Sequence, residues 1–141
     1  MYHKILVALE NSPADESLLP HIEKLALILH SHLLLVHVAE GWAARHYEDL
    51  LLKESEEMIA DRAYLEAQAD RLRSKGLEVS TYLALGEPSQ EILTTAKQEQ
   101  CGLIAMTSHG HRFLADLFLG STIEEVRHQS PIPILVVSWM H

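Results

Sequence analysis

Apolar residues follow two alternating patterns along this chain. Short, mainly apolar runs, Ile5 to Leu9, Leu33 to Val38 with His37 as an interruption, Leu103 to Thr107 and Ile134 to Trp139, alternate with longer stretches in which apolar side chains return every three or four residues. Runs of this length fit strands covered on both faces, as in a parallel sheet. The longer stretches fit helices with one buried stripe. Glu78 to Leu85 alternates instead, with Val79, Thr81 and Leu83 on one side, and predicts a further strand, third in chain order.

Boundary residues place the helices. Ser12-Pro13-Ala14-Asp15 offers an N-cap serine, a first-position proline and an acid three residues on, so a helix is expected from there, with Leu18, Ile22, Leu25, Ala26 and Leu29 facing inward. Arg45 to Lys75 predicts one long helix after a variable loop around Gly41-Trp42. Its stripe is Leu51, Met58, Leu65 and Leu72, with Ile59 and Ala69 beside them, and Gly76 ends it. Gly86-Glu87-Pro88 starts another helix through Ile92, Leu93 and Ala96, closed by Cys101-Gly102. Ser121-Thr122-Ile123-Glu124 reads as a capping box opening a helix that ends near His128, and Pro131 and Pro133 forbid its continuation.

Strand and helix alternate throughout, which predicts an α/β architecture, a doubly wound parallel sheet with helices on both faces. Ligands on such sheets bind beyond the carboxyl ends of the strands, where the strand order reverses. Those ends are Glu10-Asn11, Ala39-Glu40, Gly86-Glu87 and the stretch from Met106 to Thr122. Only the last is rich in glycine and hydroxyl groups. Its two turns, Ser108-His109-Gly110 and Gly120-Ser121-Thr122, could aim several N–H donors at one anion, or could be a connector with ordinary capping.

Composition narrows the partners. A chain of 141 residues, 48% hydrophobic and 22% charged, is expected to form one domain spanning residues 1–141. Eleven Lys and Arg against 20 Asp and Glu give a net charge of −9, which repels nucleic acid and anionic membranes but not a small anion held by backbone N–H groups. Cys101, the one cysteine, leaves no internal disulfide and suits a reducing compartment. The start, Met1-Tyr2-His3-Lys4-Ile5, runs directly into a strand without a signal-peptide pattern, and no apolar run nears the roughly 20 residues that span a bilayer. A soluble cytoplasmic protein is expected.

Catalytic motifs are not legible. There is no Walker-type loop, no nucleophile elbow and no dinucleotide fingerprint. A receiver domain shares this sheet type but would want acids after the first and third strands and a lysine near the fifth; Glu10-Asn11, Gly86 and Ser138 stand there. His109-Gly110-His111 lacks a third ligand at metal spacing, so no metal site is expected. Arg112 and a partly protonated His111 read equally as phosphate contacts or as surface turn residues, and most other histidines as polar surface.

Taken together, Ile5 to Ser12, His37-Val38, Gly86-Glu87-Pro88, the Ser108-His109-Gly110 turn followed by nine residues and Gly120-Ser121, and the closing Pro133-Ile134-Leu135-Val136-Val137 resemble the universal stress protein family over nearly the whole chain. The family's nucleotide signature is Gly-x-x-Gly, nine residues, then Gly-Ser or Gly-Thr; this chain has Thr107-Ser108-His109-Gly110, nine residues, Gly120-Ser121. The resemblance implies an adenine nucleotide alpha hydrolase-like fold with strand order 3-2-1-4-5, and ATP with Mg2+ as ligand in a dimeric stress-response or regulatory module. Carried over, Glu10 stands near the nucleoside and Val38 offers backbone groups to the base. Met106, Ser108, Gly110, Gly120, Ser121 and Thr122 border or hold the phosphates, with His111 and Arg112 beside them.

Two departures from the pattern matter. Thr107 puts a branched side chain where a bare glycine backbone would approach phosphate, and it disfavours positive φ. Glu10 replaces the usual aspartate with a longer acid. With that strand order the fifth strand is an apolar edge, an aggregation hazard unless covered. The resemblance implies a homodimer through it, built around Ile134, Val136 and Trp139. No catalytic residue is assigned; slow ATP hydrolysis or phosphorylation at Ser121 or Thr122 are the activities the resemblance admits. The competing reading is a family member with a degenerate site, acting as a nucleotide-independent interaction module.

Overall fold

The computed structural model describes residues 1–39, 56–109 and 116–139, with the side chains of 109 and 116–121 left aside. The elements are β1 (Lys4–Ala8), α1 (Asp15–Leu29), β2 (His32–Ala39), α2 (Glu56–Arg73), β3 (Val79–Leu85), α3 (Pro88–Gln98), β4 (Leu103–His109), α4 (Asp116–Gln129) and β5 (Ile134–Trp139). These five strands form one sheet with every neighbouring pair parallel, as the sequence pattern predicts, in the order β3-β2-β1-β4-β5 that the resemblance implies.

Helices cover both faces, which is why the strand runs are mainly apolar. Ile5, Val7, Leu33, Leu35 and Ala105 turn one way onto Leu18 and Ile22 of α1 and Leu65, Ala69 and Leu72 of α2. Their alternates, Leu6, Leu34, Val36, Ile104 and Met106, turn the other way onto Ile92 and Ala96 of α3 and Val126 of α4. Among the described residues no helix is long and apolar enough to cross a membrane.

Several boundaries differ from the sequence reading. Helix α1 begins at Asp15 with Ala14 at the N-cap, because Ser12 to Ala14 form a preceding turn in which Asp15 N donates to Ser12 O at 3.1 Å and Glu16 N to Pro13 O at 3.1 Å. Leu29 lies outward, 39% exposed, at the last turn before His30 leaves the helix in a left-handed conformation (φ 56°); Leu19 is buried in its stead. On α2, Met58, Leu65, Ala69 and Leu72 are buried, but Ile59 is 55% exposed, since a neighbour of Met58 sits about 100° round the helix. Leu51 and the expected helix start at Arg45 lie outside the described residues, as does the loop at Gly41-Trp42.

The capping box at Ser121 is overturned. Helix α4 begins at Asp116, so Ser121 is inside it, and an N-cap requires non-helical backbone angles. The glycine that suggested a turn, Gly120, lies within the helix, where it costs about 1 kcal/mol that packing can offset. Strand β4 runs two residues past Thr107 because β5 accompanies it as far as His109↔Trp139.

Candidate functional site

Strand β1 is shorter than its neighbours, and this makes the site. It pairs with β2 only through Ala8↔Val36 and with β4 only through Val7↔Ala105. Strand β2 runs on to Ala39 beside β3, and β4 to His109 beside β5. Beyond Ala8 the sheet therefore opens a gap between β2 and β4, at the switch point of the strand order.

Strand alternation decides which backbone groups face the gap. Leu9 N donates to Val36 O at 2.7 Å, so Val36 faces β1, and two residues on Val38 faces the same way. Across the gap, Ile104 N donates to Pro133 O at 3.0 Å and faces β5, so Thr107, an odd step away, turns its backbone toward the gap. Helices α3 and α4 close one side with Pro88, Ile92, Thr122 and Ile123, leaving a cavity of about 110 Å³. That is several times the ~30 Å³ share of one water. It suits a flat ring, whereas a whole nucleotide must extend beyond it.

Of the residues the sequence singled out, Glu10, Val38, Met106 and Thr122 line this cavity. Ser108 follows on β4, its hydroxyl 3.4 Å from that of Ser138, and Gly120 and Ser121 lie on α4. Gly110, His111 and Arg112 fall outside the described residues. Thr107 lines the cavity but is not strained: it is regular β4 strand, and among the described residues the non-glycine positions with positive φ are Asn11, His30 and Gln100. By alternation its side chain shares the face of Leu103 and Ala105, not that of Met106, so the expected branched obstacle is directed away from the α3 and α4 side. Its buried Oγ1 has no hydrogen-bond partner among the described residues.

A buried polar network underlies the β1 end. Asp15, 1% exposed, accepts from Glu10 N and Asn11 N at 2.9 Å each and from the Tyr64 hydroxyl at 2.6 Å. Burial, then the hydrogen bond and charge of Asp15, push the Tyr64 hydroxyl well above the ordinary tyrosine range. Asp61, 6% exposed, accepts from Asn11 Nδ2 at 2.8 Å, and its other oxygen lies 3.4 Å from His37 Nε2. The opposite ring nitrogen, Nδ1, donates to Leu9 O at 2.8 Å.

His37 is thus a partly buried structural residue beside the cavity, not polar surface. The sequence reading missed it, along with Asp15, Asp61 and Tyr64. One signal was available: Asp61 falls three residues after Met58 and four before Leu65, inside the buried stripe of α2, where an acid is costly unless partnered.

The start of α3 carries a second polar group. Glu87 is its N-cap, its side chain accepting from Gln90 N at 2.9 Å. The buried Ser89 hydroxyl lies 2.6 Å from Glu87 Oε2 and 2.5 Å from Glu125 Oε2, which ties α3 to α4 behind the cavity.

A parallel five-stranded sheet in this order, with helices on both faces and a crevice where β1 stops short, defines a doubly wound α/β protein of the kind that takes ligands at its switch point. The model of the universal stress protein family matches residues 1–138, and the chain belongs to that family.

Among its relatives, it is 28% identical to universal stress protein YxiE of Bacillus subtilis over 149 residues, covering 97% of this chain and 99% of that protein. It is 29% identical to universal stress protein MJ0577 of Methanocaldococcus jannaschii over 154 residues, covering 97% and 95%. The solved structure of MJ0577 superposes with a TM-score of 0.83 at 27% identity, covering 100% of this chain and 99% of that one. The fold is shared with a universal stress protein solved in complex with cAMP, at a TM-score of 0.71, 17% identity and 97% coverage of both chains. It is also shared with one from Archaeoglobus fulgidus in complex with dAMP, at a TM-score of 0.71 and 19% identity, covering 96% and 98%.

Proposed function

We propose that the gap beyond Ala8 binds an adenine nucleotide, ATP with Mg2+, and that the protein works as a dimeric regulatory module of the stress response in the cytoplasm. The observation that carries this is the gap itself, with the backbone of Val38 on one side, that of Thr107 on the other, and the Glu10 carboxylate at its edge. Support also comes from the fold, in which other universal stress proteins hold cAMP and dAMP. Val38 reads the base through backbone groups, Glu10 takes a ribose hydroxyl, and Met106 packs against the nucleoside. The hydroxyls of Ser108, Ser121 and Thr122 and the N–H of Gly110 supply donors to the phosphates, Gly120 on α4 leaves room for their close approach, His111 and Arg112 supply positive charge, and Mg2+ neutralises the phosphates further. Donors fixed in advance lose little entropy on binding.

The dimer forms through β5. It is an edge strand of the sheet, and Val136 on it is 42% exposed, an apolar edge that pairing would cover.

The test is to denature the purified protein, look for co-purified adenine nucleotide, and titrate the stripped protein with Mg-ATP by calorimetry. Bound nucleotide and a saturable heat are expected. Their joint absence retires the nucleotide reading in favour of a nucleotide-independent interaction module.

A further inference from the structure

We infer that Asn11 and Asp61 are positioning residues that set the ribose-facing carboxylate of Glu10, an inference that rests on the nucleotide reading of the gap. Glu10 sits in the connection between β1 and α1, a segment outside both elements. Its two neighbours in sequence are both linked to Asp61 on α2, Asn11 directly and Leu9 through His37. Asp61 Oδ1 accepts from Asn11 Nδ2 at 2.8 Å, and Asp61 Oδ2 lies 3.4 Å from His37 Nε2. His37 Nδ1 in turn holds Leu9 O at 2.8 Å. Leu9 and Asn11 bracket Glu10, so its backbone is fixed from both sides by α2 as well as by Asp15 from α1, whose carboxylate accepts from Glu10 N and Asn11 N.

Two features are hard to explain by packing alone. Asp61 occupies a buried position in the stripe between Met58 and Leu65, where an apolar residue would avoid the cost of removing a carboxylate from water. Asn11 holds a left-handed backbone (φ 58°), a conformation in which a non-glycine residue is strained unless held, though asparagine tolerates it best. The left-handed turn directs the chain from β1 into α1, and the Asn11 side chain spends its amide on Asp61. The result is a rigid bracket for one acid at the cavity rim, supplied by a helix that does not itself line the cavity.

The test compares affinities for Mg-ATP and for its 2′-deoxy and 3′-deoxy analogues in the full chain. Wild-type protein is expected to prefer ATP over at least one deoxy analogue by about tenfold, the value of one charge-assisted hydrogen bond, and Glu10→Ala to erase that preference. Asn11→Gly keeps the left-handed backbone available and removes only the amide link, and Asn11 is exposed, so folding is retained. It is expected to cut the preference to about twofold or less while leaving affinity for the deoxy analogue nearly unchanged. Asp61→Ala should do the same. Asp61→Asn, which keeps an oxygen for Asn11 and offers an N–H to His37 Nε2, should restore it.

A merely structural role would lower both affinities together and leave their ratio intact. If Glu10→Ala erases the preference but Asn11→Gly and Asp61→Ala leave it at the wild-type value, the positioning inference is overturned and the nucleotide reading stands. If the wild-type protein binds adenine nucleotide with no preference for the ribose hydroxyls, the positioning inference falls and the nucleotide reading stands; if it binds no adenine nucleotide, both fall.

Discussion

The Tyr64 hydroxyl, on α2, donates to Asp15 Oδ2 at 2.6 Å at the first residue of α1, joining the two helices that cover one face of the sheet. Removing it with Tyr64→Phe leaves a buried carboxylate short of one donor and should cost about 1.5–3 kcal/mol in urea unfolding. The same contact sets a pH dependence. Burial and the neighbouring Asp15 raise the Tyr64 pKa in the folded state above its unfolded value of about 10. The stabilisation is therefore complete below that pH and lost as pH rises beyond it. The difference in phenolate absorbance between wild type and Tyr64→Phe should stay flat through the ordinary tyrosine range and rise only on alkaline unfolding.

Glu87 gives the opposite limb. Burial alone would raise its pKa, but the Ser89 hydroxyl and the N–H groups of Gln90 and Ser89 outweigh burial and hold it below the ordinary 4.5. Its contribution is present above that value and lost as pH falls through the depressed one. In Glu87→Gln, stability measured by urea unfolding should be lower near neutrality and should fall less steeply with acid than in wild type. Parallel pH profiles for the two proteins would contradict this.

Thr107 carries a buried hydroxyl without a partner among the described residues. Thr107→Val keeps the shape and removes that oxygen, so the ligand-free protein should gain up to about 1 kcal/mol or stay unchanged. A loss of more than about 1 kcal/mol by thermal unfolding would show that the hydroxyl is satisfied after all.

Val136 tests the edge. With β5 outermost and Val136 exposed, Val136→Lys places a charge on the edge strand without disturbing the core. Sedimentation should show the wild type as a dimer at micromolar concentration and the variant shifted toward monomer, with unchanged circular dichroism. A monomeric wild type would remove the dimer from the proposal.

What the sequence revealed and what it hid follow one rule. Strands such as Ile5 to Leu9 and Leu33 to Val36 were legible because burial on both faces leaves no polar position to break the run, and His37 interrupts the second only where the sheet opens toward the cavity. The signature stretch drew attention to β4 and to the sheet end that it occupies. Local signals misled where two structures share one local pattern: Ser121-Thr122-Ile123-Glu124 satisfies a capping box in composition, but α4 had already started at Asp116. The Asp15, Asn11, His37, Asp61 and Tyr64 network was not legible, because its members come from different elements, with bonded partners up to 50 residues apart, and meet only after the sheet assembles. A lone acid in an apolar stripe is a weak signal until the partner is visible.

The early end of β1 has a consequence for size and shape. Parallel strands stand about 4.8 Å apart, so β2 and β4 face each other across roughly twice that distance once β1 has stopped. The vacancy is one strand wide, and the strand pairs on either side of it were built to exchange hydrogen bonds within the plane of the sheet. A guest that fits there must be thin, lie in that plane and carry donors and acceptors along its edges, as a heteroaromatic base does. Such a guest would substitute for the missing length of β1, and lengthening β1 by two residues should shut it out while leaving the rest of the sheet intact.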